Sequence, residues 1–236
     1  MLVKEIKEKL QQLENKKRAE QSKRYFKTDP GEYGEGDIFL GIPVPELRKL
    51  SRAYGDIPLE TTEKLLKSPI HEERLLALLI LVLKYAKGDA KAQKRVYTLY
   101  LKNTQFVNNW DLVDASAHYI VGPFLMDKSK KPLYRLATSQ SLWERRIAIM
   151  ATFHYIRQNL YSETLKIAEI LISDNEDLIH KAVGWMLREV GKRDLQTEEE
   201  FLKPRCKNMP RTMLRYAIEK FPAAKRQLYL KGTIRK

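Results

Sequence analysis

Apolar residues recur at helical spacing along almost the whole chain, and that periodicity leaves little room for any other architecture. Leu75, Leu78, Leu79, Val82 and Tyr85 share one face of a 3.6-residue period, as do Ile179, Val183, Met186 and Val190. Runs in which every second residue is apolar are scarce. Turn signals cut the pattern at short intervals: the glycines of residues 31–37, Pro43 and Pro45, Gly55 to Pro58, Ser68 and Pro69, Gly88, Gly122 and Pro123, Pro132, Pro204, Pro210 and Pro222. The spacing predicts an all-α chain of short helices, opening with helices at roughly 2–24 and 44–54.

Lining the helices up on one basic position exposes a repeat. Arg74, Arg146, Lys181 and Arg215 are separated by 72, 35 and 34 residues, and half of the first gap lands on Trp110. A period near 35 belongs to stacked helix pairs, each burying its apolar face only against its neighbours. The consensus of the tetratricopeptide class is missing, so the expectation is a HEAT-like superhelix, an α-solenoid, formed by one domain over residues 1–236 with a basic tail at 231–236 that need not be ordered. Such a solenoid presents the same turn of every repeat along one concave surface. Trp110, Arg146, Lys181 and Arg215 would then line a common basic groove, with Trp185 one turn beyond Lys181.

Charge narrows the partners. With 44 Lys and Arg against 30 Asp and Glu, the chain carries a formal charge of +14, which attracts polyanions. Nucleic acid is the first candidate and an anionic membrane surface the second. The basic run at 16–24 suits a membrane surface, but a solvated helix face explains it more simply. The first twenty residues carry charges every second or third position, unlike a signal peptide, and the longest apolar run, residues 75–83, is too short to span a bilayer. A soluble, cytoplasmic protein is expected, nucleoid-associated if bacterial. Cys206 is the single cysteine, which excludes an intrachain disulfide and fits a reducing compartment. Its neighbours Lys203, Arg205 and Lys207 would favour a thiolate, but an incidental cysteine is the simpler account. His71, His118, His154 and His180 have no ligand spacing, so no metal site and no cofactor are expected.

Three stretches hold residues that packing explains poorly. In NNWDLVDASAHYIV, residues 108–121, Asn108 or Asn109 can cap a helix on which Trp110 and Asp114 lie one turn apart beside the stripe Val113, Ala117, Ile120 and Val121. The alternative is that Asp111 is the cap, Asp114 serves the positive helix terminus, and Trp110 merely packs. In DLIHKAVGWMLREVGKR, residues 177–193, Trp185 shares its side with Lys181 and Arg188, either as a surface cation–π contact, as packing on the next repeat, or as a binding surface. In SLWERRIAIMATFHYI, Arg146 opens an apolar run, where a salt bridge to Glu144 or Asp111 is its ordinary use, and Trp143 is expected in the core.

Taken together, RYFK at 24–27, FLGIPVPELRKL at 39–50, NNWDLVD at 108–114, LWERRIAI at 142–149 and HKAVGWMLREVGK at 180–192 resemble the AlkD-type DNA alkylation-repair glycosylases, a HEAT-like-repeat family. The likeness runs from about residue 2 to residue 230, and NWDLVD combined with KAVGWMLRE is its most specific part. It implies a basic groove that grips double-stranded DNA, lined by Trp110, Asp114, Arg146 and Trp185, with Tyr25 matching an aromatic of the N-terminal helices. Lys181, Arg188 and Arg215 would join them as DNA contacts. One departure is the glycine-rich insert TDPGEYGEGD at 28–37, which leaves open how the N-terminal helices meet DNA.

The resemblance further implies release of cationic bases, such as purines alkylated at N3 or N7, by hydrolysis of the N-glycosidic bond, without a deep base-flipping pocket. Asp114 would be the catalytic carboxylate, stabilising positive charge on the deoxyribose, and Arg146 beside it would favour its ionised form. The rival is a non-catalytic HEAT-like scaffold that binds nucleic acid or an acidic protein along the same surface. A carboxylate inside a cationic track separates the two, since it would repel phosphate in a mere scaffold. A monomer suits a solenoid that wraps duplex DNA.

Overall fold

Several helix starts along this chain are set by proline, asparagine or aspartate. The computed structural model describes residues 2–234, and every regular element of more than an isolated bridge in that range is helical. Asn15 interrupts what the sequence predicts as one N-terminal helix. Its backbone N–H bonds the Leu40 carbonyl, and its side chain accepts from the Arg18 N–H at 3.0 Å. The result is two helices, α1 (Leu2–Gln11) and α2 (Lys16–Tyr25). Next come α3 (Val44–Ala53), entered through Pro43 with Pro45 in its first turn, and α4 (Leu59–Leu66), entered through Pro58. They are followed by α5 (His71–Lys87), α6 (Ala90–Lys102), α7 (Trp110–Asp114) and α8 (Ala117–Phe124).

The chain divides into two units between Ile120 and Val121, inside α8. In the first, α5 is the centre. Residues Leu75 to Leu81 are all buried, as expected for a helix that is apolar all round. It packs on α3, α4, α6 and α7, and α1 packs on α4 through buried Ile6 and Leu10. Four acidic or basic residues at the start of α5, His71, Glu72, Glu73 and Arg74, are also buried, each with a partner on another segment. Lys7 of α1 reaches Glu73 at 2.9 Å. Glu72 accepts the backbone N–H groups of Leu40, Gly41 and Ile42 at 2.9, 2.7 and 3.3 Å. That carboxylate accounts for FLGIP: the segment bends around it. Gly41 adopts φ +74°, and a Cβ there would meet the Asn15 carbonyl oxygen at 2.4 Å and the Ala19 nitrogen at 2.5 Å, so only glycine fits.

The second unit contains α9 (Lys131–Ala137), α10 (Leu142–Ala151), α11 (Phe153–Ile156), α12 (Ser162–Ile170), α13 (Asp177–Gly191), α14 (Leu195–Leu202), α15 (Arg211–Ala217) and α16 (Ala223–Lys231). Its centre is α13, whose Ile179, Ala182, Val183, Met186, Leu187 and Val190 are fully buried and which packs on α10, α12, α14 and α15. Arg146, Lys181 and Arg215 each occupy the fifth residue of their helices, α10, α13 and α15, so the spacing of about 35 found in the sequence is a structural register. Trp143, expected in the core, is half-buried, because it lies in the first turn of α10. The helix α16 closes on Gly232; the remainder of the basic tail, Arg235 and Lys236, lies outside the described residues.

Contact between α13 and α15 depends on Gly184. A Cβ at this position would stand 2.4 Å from the Met213 carbonyl oxygen and 2.5 Å from Tyr216 Cβ. The Gly184→Ala protein is therefore expected to lose about 1–3 kcal/mol of stability, because the two helices must separate to admit the methyl group. A urea midpoint equal to that of the parent protein would contradict the close approach. Among the described residues, no helix is long and apolar enough to cross a membrane.

Candidate nucleic-acid interface and catalytic carboxylate

The stretch NNWDLVD forms α7, a helix of only five residues, and a short helix does not hold itself. Asn109 is its cap, as one of the two asparagines was expected to be. Its side chain, wholly buried, accepts the Trp110 N–H at 2.8 Å, and its amide donates to Asp37 at 3.4 Å. Asp111 faces inward. One of its oxygens accepts the Leu112 N–H at 2.8 Å and the other lies 2.8 Å from His71 Nε2. Asp111 is therefore spent on structure, whereas Asp114, three residues later, is half-buried at the helix end close to Tyr100. Burial pushes the Tyr100 hydroxyl up from its ordinary value, its hydrogen bond with Ser116 opposes this, and the negative charge of Asp114 adds to the rise.

Beneath α7 lies a polar cluster that sequence reasoning missed. His71, at the first turn of α5, is 2 % exposed; its Nδ1 lies 3.1 Å from Asp37 and its Nε2 2.8 Å from Asp111. Asp37 also receives Arg74 at 2.6 Å, and Arg74 donates to the Ser68 carbonyl at 3.0 Å. Burial works against the charge of His71, but the negative charge of Asp111 and hydrogen bonds to Asp111 and Asp37 prevail and raise its pKa to about 9. For Asp37, burial would raise the pKa; His71 and Arg74 outweigh it and hold the carboxyl below its usual range.

An aromatic layer covers this cluster. The Trp110 ring stacks on Phe26 with centroids 5.3 Å apart and meets Tyr25 edge-on at 5.8 Å. Tyr25 is 65 % exposed and Trp110 half-buried, so the pair offers π-surface to solvent at the end of α2. The structure thus sets the Tyr25 ring against Trp110 and carries Asp114 at the other end of the same five-residue helix, all three of these expected site residues lying in the first unit. Phe26 is an addition to that set, and the RYFK motif contained it.

The other expected residues belong to the second unit. Trp185 on α13 is half-buried, lies 6.2 Å from Phe153 and donates its indole N–H to Glu189 at 3.3 Å. Glu189 is buried and also receives Lys192 at 2.6 Å and Arg193 at 3.2 Å. The cations flanking the indole have local partners: Lys181 pairs with Asp177 at 2.7 Å, and Arg188 with Glu219. Arg146 is 5 % exposed and donates to the Leu178 carbonyl at 2.6 Å, so at least part of its guanidinium ties α10 to the start of α13. Its neighbour Arg145 holds Asp174 at 2.6 Å. Arg215 on α15 is exposed. Cys206 is buried with its thiol 3.6 Å from the Lys203 carbonyl, the incidental role rather than a reactive one. No group of three or more His, Cys, Asp or Glu able to hold a metal occurs among the described residues.

The family model described as DNA alkylation repair enzyme matches residues 6–221. Comparison with curated proteins gives no match. Among solved structures, one described as a predicted DNA alkylation repair enzyme from Enterococcus faecalis is similar with a TM-score of 0.67 at 18 % identity, over 89 % of this chain and 97 % of that one, which establishes likeness of fold. Since the family match spans nearly the whole length, both motif-bearing helices α7 and α13 included, the chain belongs to the DNA alkylation repair enzyme family.

Proposed function

We propose that the protein is a DNA glycosylase that hydrolyses the N-glycosidic bond of cationic N3- and N7-alkylated purines in duplex DNA. The observation that carries this reading is the pairing of Asp114 with Trp110 on one short helix, with the exposed Tyr25 ring against the indole. Asn109 caps this helix and Asp111 anchors it to His71, while Asp114, half-buried at the helix end, sets its negative charge beside Tyr100.

Alkylation places a positive charge on the purine, so the base leaves without a strong general acid. As the C1′–N bond breaks, its electron pair neutralises the base and positive charge passes to the deoxyribose. An ionised Asp114 directed at that sugar stabilises the transition state more than the ground state, and it can orient the water whose oxygen bonds C1′ and whose proton passes to solvent. Trp110 and Tyr25 would lay their faces against the sugar and backbone of the lesion, where a π-face also attracts the growing cation. In the second unit, the recurrence of Arg146, Lys181 and Arg215 at one register on the successively packed helices α10, α13 and α15 supports stacked HEAT-like pairs. Arg215, Lys181 and Arg188 would hold phosphates there, with Trp185 as an aromatic contact and Arg146 contributing its charge.

Purified protein incubated with duplex DNA containing N7-methylguanine or N3-methyladenine is expected to release the free base. DNA binding without release from either substrate would leave only a polyanion-binding scaffold. Affinity for undamaged duplex is expected to fall by a factor of ten or more between about 50 and 200 mM salt, since phosphate contacts release counterions. An affinity indifferent to salt would rule out the cationic contacts.

A further inference from the structure

The glycosylase reading leaves unexplained why a histidine sits buried between two carboxylates directly beneath the proposed lesion-contacting ring, and why a glycine-rich insert leads up to one of them. Both ring nitrogens of His71 face carboxylate oxygens, Asp37 at 3.1 Å and Asp111 at 2.8 Å. An ionised carboxylate only accepts hydrogen bonds, so both nitrogens must donate, which a neutral imidazole cannot do. With His71 protonated, two cations, His71 and Arg74, balance two anions, Asp37 and Asp111, and the buried cluster is neutral.

From His71 two physical routes lead to Trp110. One is the hydrogen bond to Asp111, the residue next to Trp110 on α7. The other is the ring stack. His71 lies 4.6 Å from Phe39 and 5.1 Å from Phe26, those two phenyl rings stack at 5.1 Å, and Phe26 stacks on Trp110 at 5.3 Å. A cation facing phenyl rings is held by their quadrupoles as well as by the carboxylates. The insert supplies Asp37. It turns back on the end of α2 through the Gly34 N–H to the Lys27 carbonyl at 2.9 Å, and its exit is strapped to α5 by the His71 N–H to the Ile38 carbonyl at 2.8 Å. Among the groups around His71, Glu72 is taken up by the backbone of residues 40–42 and Glu73 by Lys7, while Asn109 bonds Asp37 rather than the imidazole.

We propose that His71, as an imidazolium clamped between Asp37 and Asp111, is a positioning residue that holds the Trp110 ring at the angle needed to meet a damaged nucleotide, and that the 28–37 insert serves to deliver Asp37. The functional half of this statement rests on the glycosylase reading; the mechanical half does not.

The test therefore has two arms. In the first, the histidine ring nitrogens and the Trp110 indole N–H of the wild-type protein are followed by NMR across pH 6.5–10. His71 is expected to remain doubly protonated at pH 8, and the Trp110 resonance to shift with the same midpoint as His71, near pH 9. A His71 that is neutral at pH 8, or a Trp110 resonance that does not follow it, overturns the clamp. In the second, His71→Gln and wild type are compared in base release. The variant is expected to lose about tenfold in kcat, with binding of undamaged duplex within about twofold and with the loss of rate above pH 9 abolished. A folded His71→Gln protein with wild-type kcat overturns the positioning role. Should the variant fail to fold, the wild-type rate profile decides, since a kcat unchanged through the His71 titration overturns it equally. If wild-type protein releases no base, the glycosylase reading fails, and the first arm still decides the clamp.

Discussion

Replacing Asp114 by asparagine is expected to lower the rate of alkylpurine release by at least about tenfold, equivalent to some 1.4 kcal/mol of transition-state stabilisation. Asparagine keeps the volume and one oxygen of the side chain, removes the charge and replaces the other oxygen by an N–H donor. Two full opposite charges 4 Å apart are worth about 4 kcal/mol at an effective dielectric constant near 20, and only part of the sugar's charge has developed at the transition state. A loss of ten- to a few hundredfold follows. The helix should tolerate the change, because its cap is Asn109 and its inward anchor is Asp111. Affinity for undamaged duplex should hold or rise, since a carboxylate repels phosphate. Single-turnover base release and DNA binding, measured on the same preparations, separate these effects. Equal rates for the two proteins would remove Asp114 from the chemistry.

The largest expected effect on stability belongs to Asp37. Asp37→Ala leaves Arg74, 3 % exposed, and His71 sharing the single remaining carboxylate of Asp111, and an uncompensated buried cation costs about 3–5 kcal/mol. For a chain of this size that is a fall in Tm on the order of ten degrees. Its pH dependence identifies the cause. The folded-state pKa of His71 is raised to about 9 from 6.5, so its contribution is full below 6.5 and is lost as pH rises through 9. That of Asp37 is lowered from 3.8, so its contribution is present above that value and is lost as pH falls through the lower folded value. Between these limits the wild type should show a plateau, and in Asp37→Ala both edges should flatten. Thermal melts from pH 3 to 10 measure this directly. A variant that melts within a degree or two of wild type would mean that the buried cluster adds no net stability.

Much of the local structure is legible in the residues themselves. Helical periodicity identifies α5 and α13, prolines identify the entries of α3, α4, α15 and α16, and the spacing of about 35 residues identifies the register shared by Arg146, Lys181 and Arg215. Each of these is decided within a turn or two of the chain, by the 3.6-residue repeat or by fixed backbone angles. An asparagine cap for α7 is of the same kind, although the residues alone leave Asn108, Asn109 and Asp111 all open as candidates and the structure selects Asn109. The family motifs likewise point to Trp110 and Asp114.

The partners of those residues are another matter. His71 meets Asp37 across 34 positions and Asp111 across 40, and Asn109 meets Asp37 across 72. In the sequence His71 is one of four scattered histidines and Asp37 the last residue of a glycine-rich turn. Nothing within a few residues of either marks it as half of a buried pair, because the attraction between them exists only after folding has removed both from water. Local pattern by itself determined an all-α chain with an aromatic and a carboxylate one turn apart. Tertiary structure alone decided which aspartate binds the buried histidine and which lies half-buried near Tyr100, since that choice depends on where groups from distant segments come to rest.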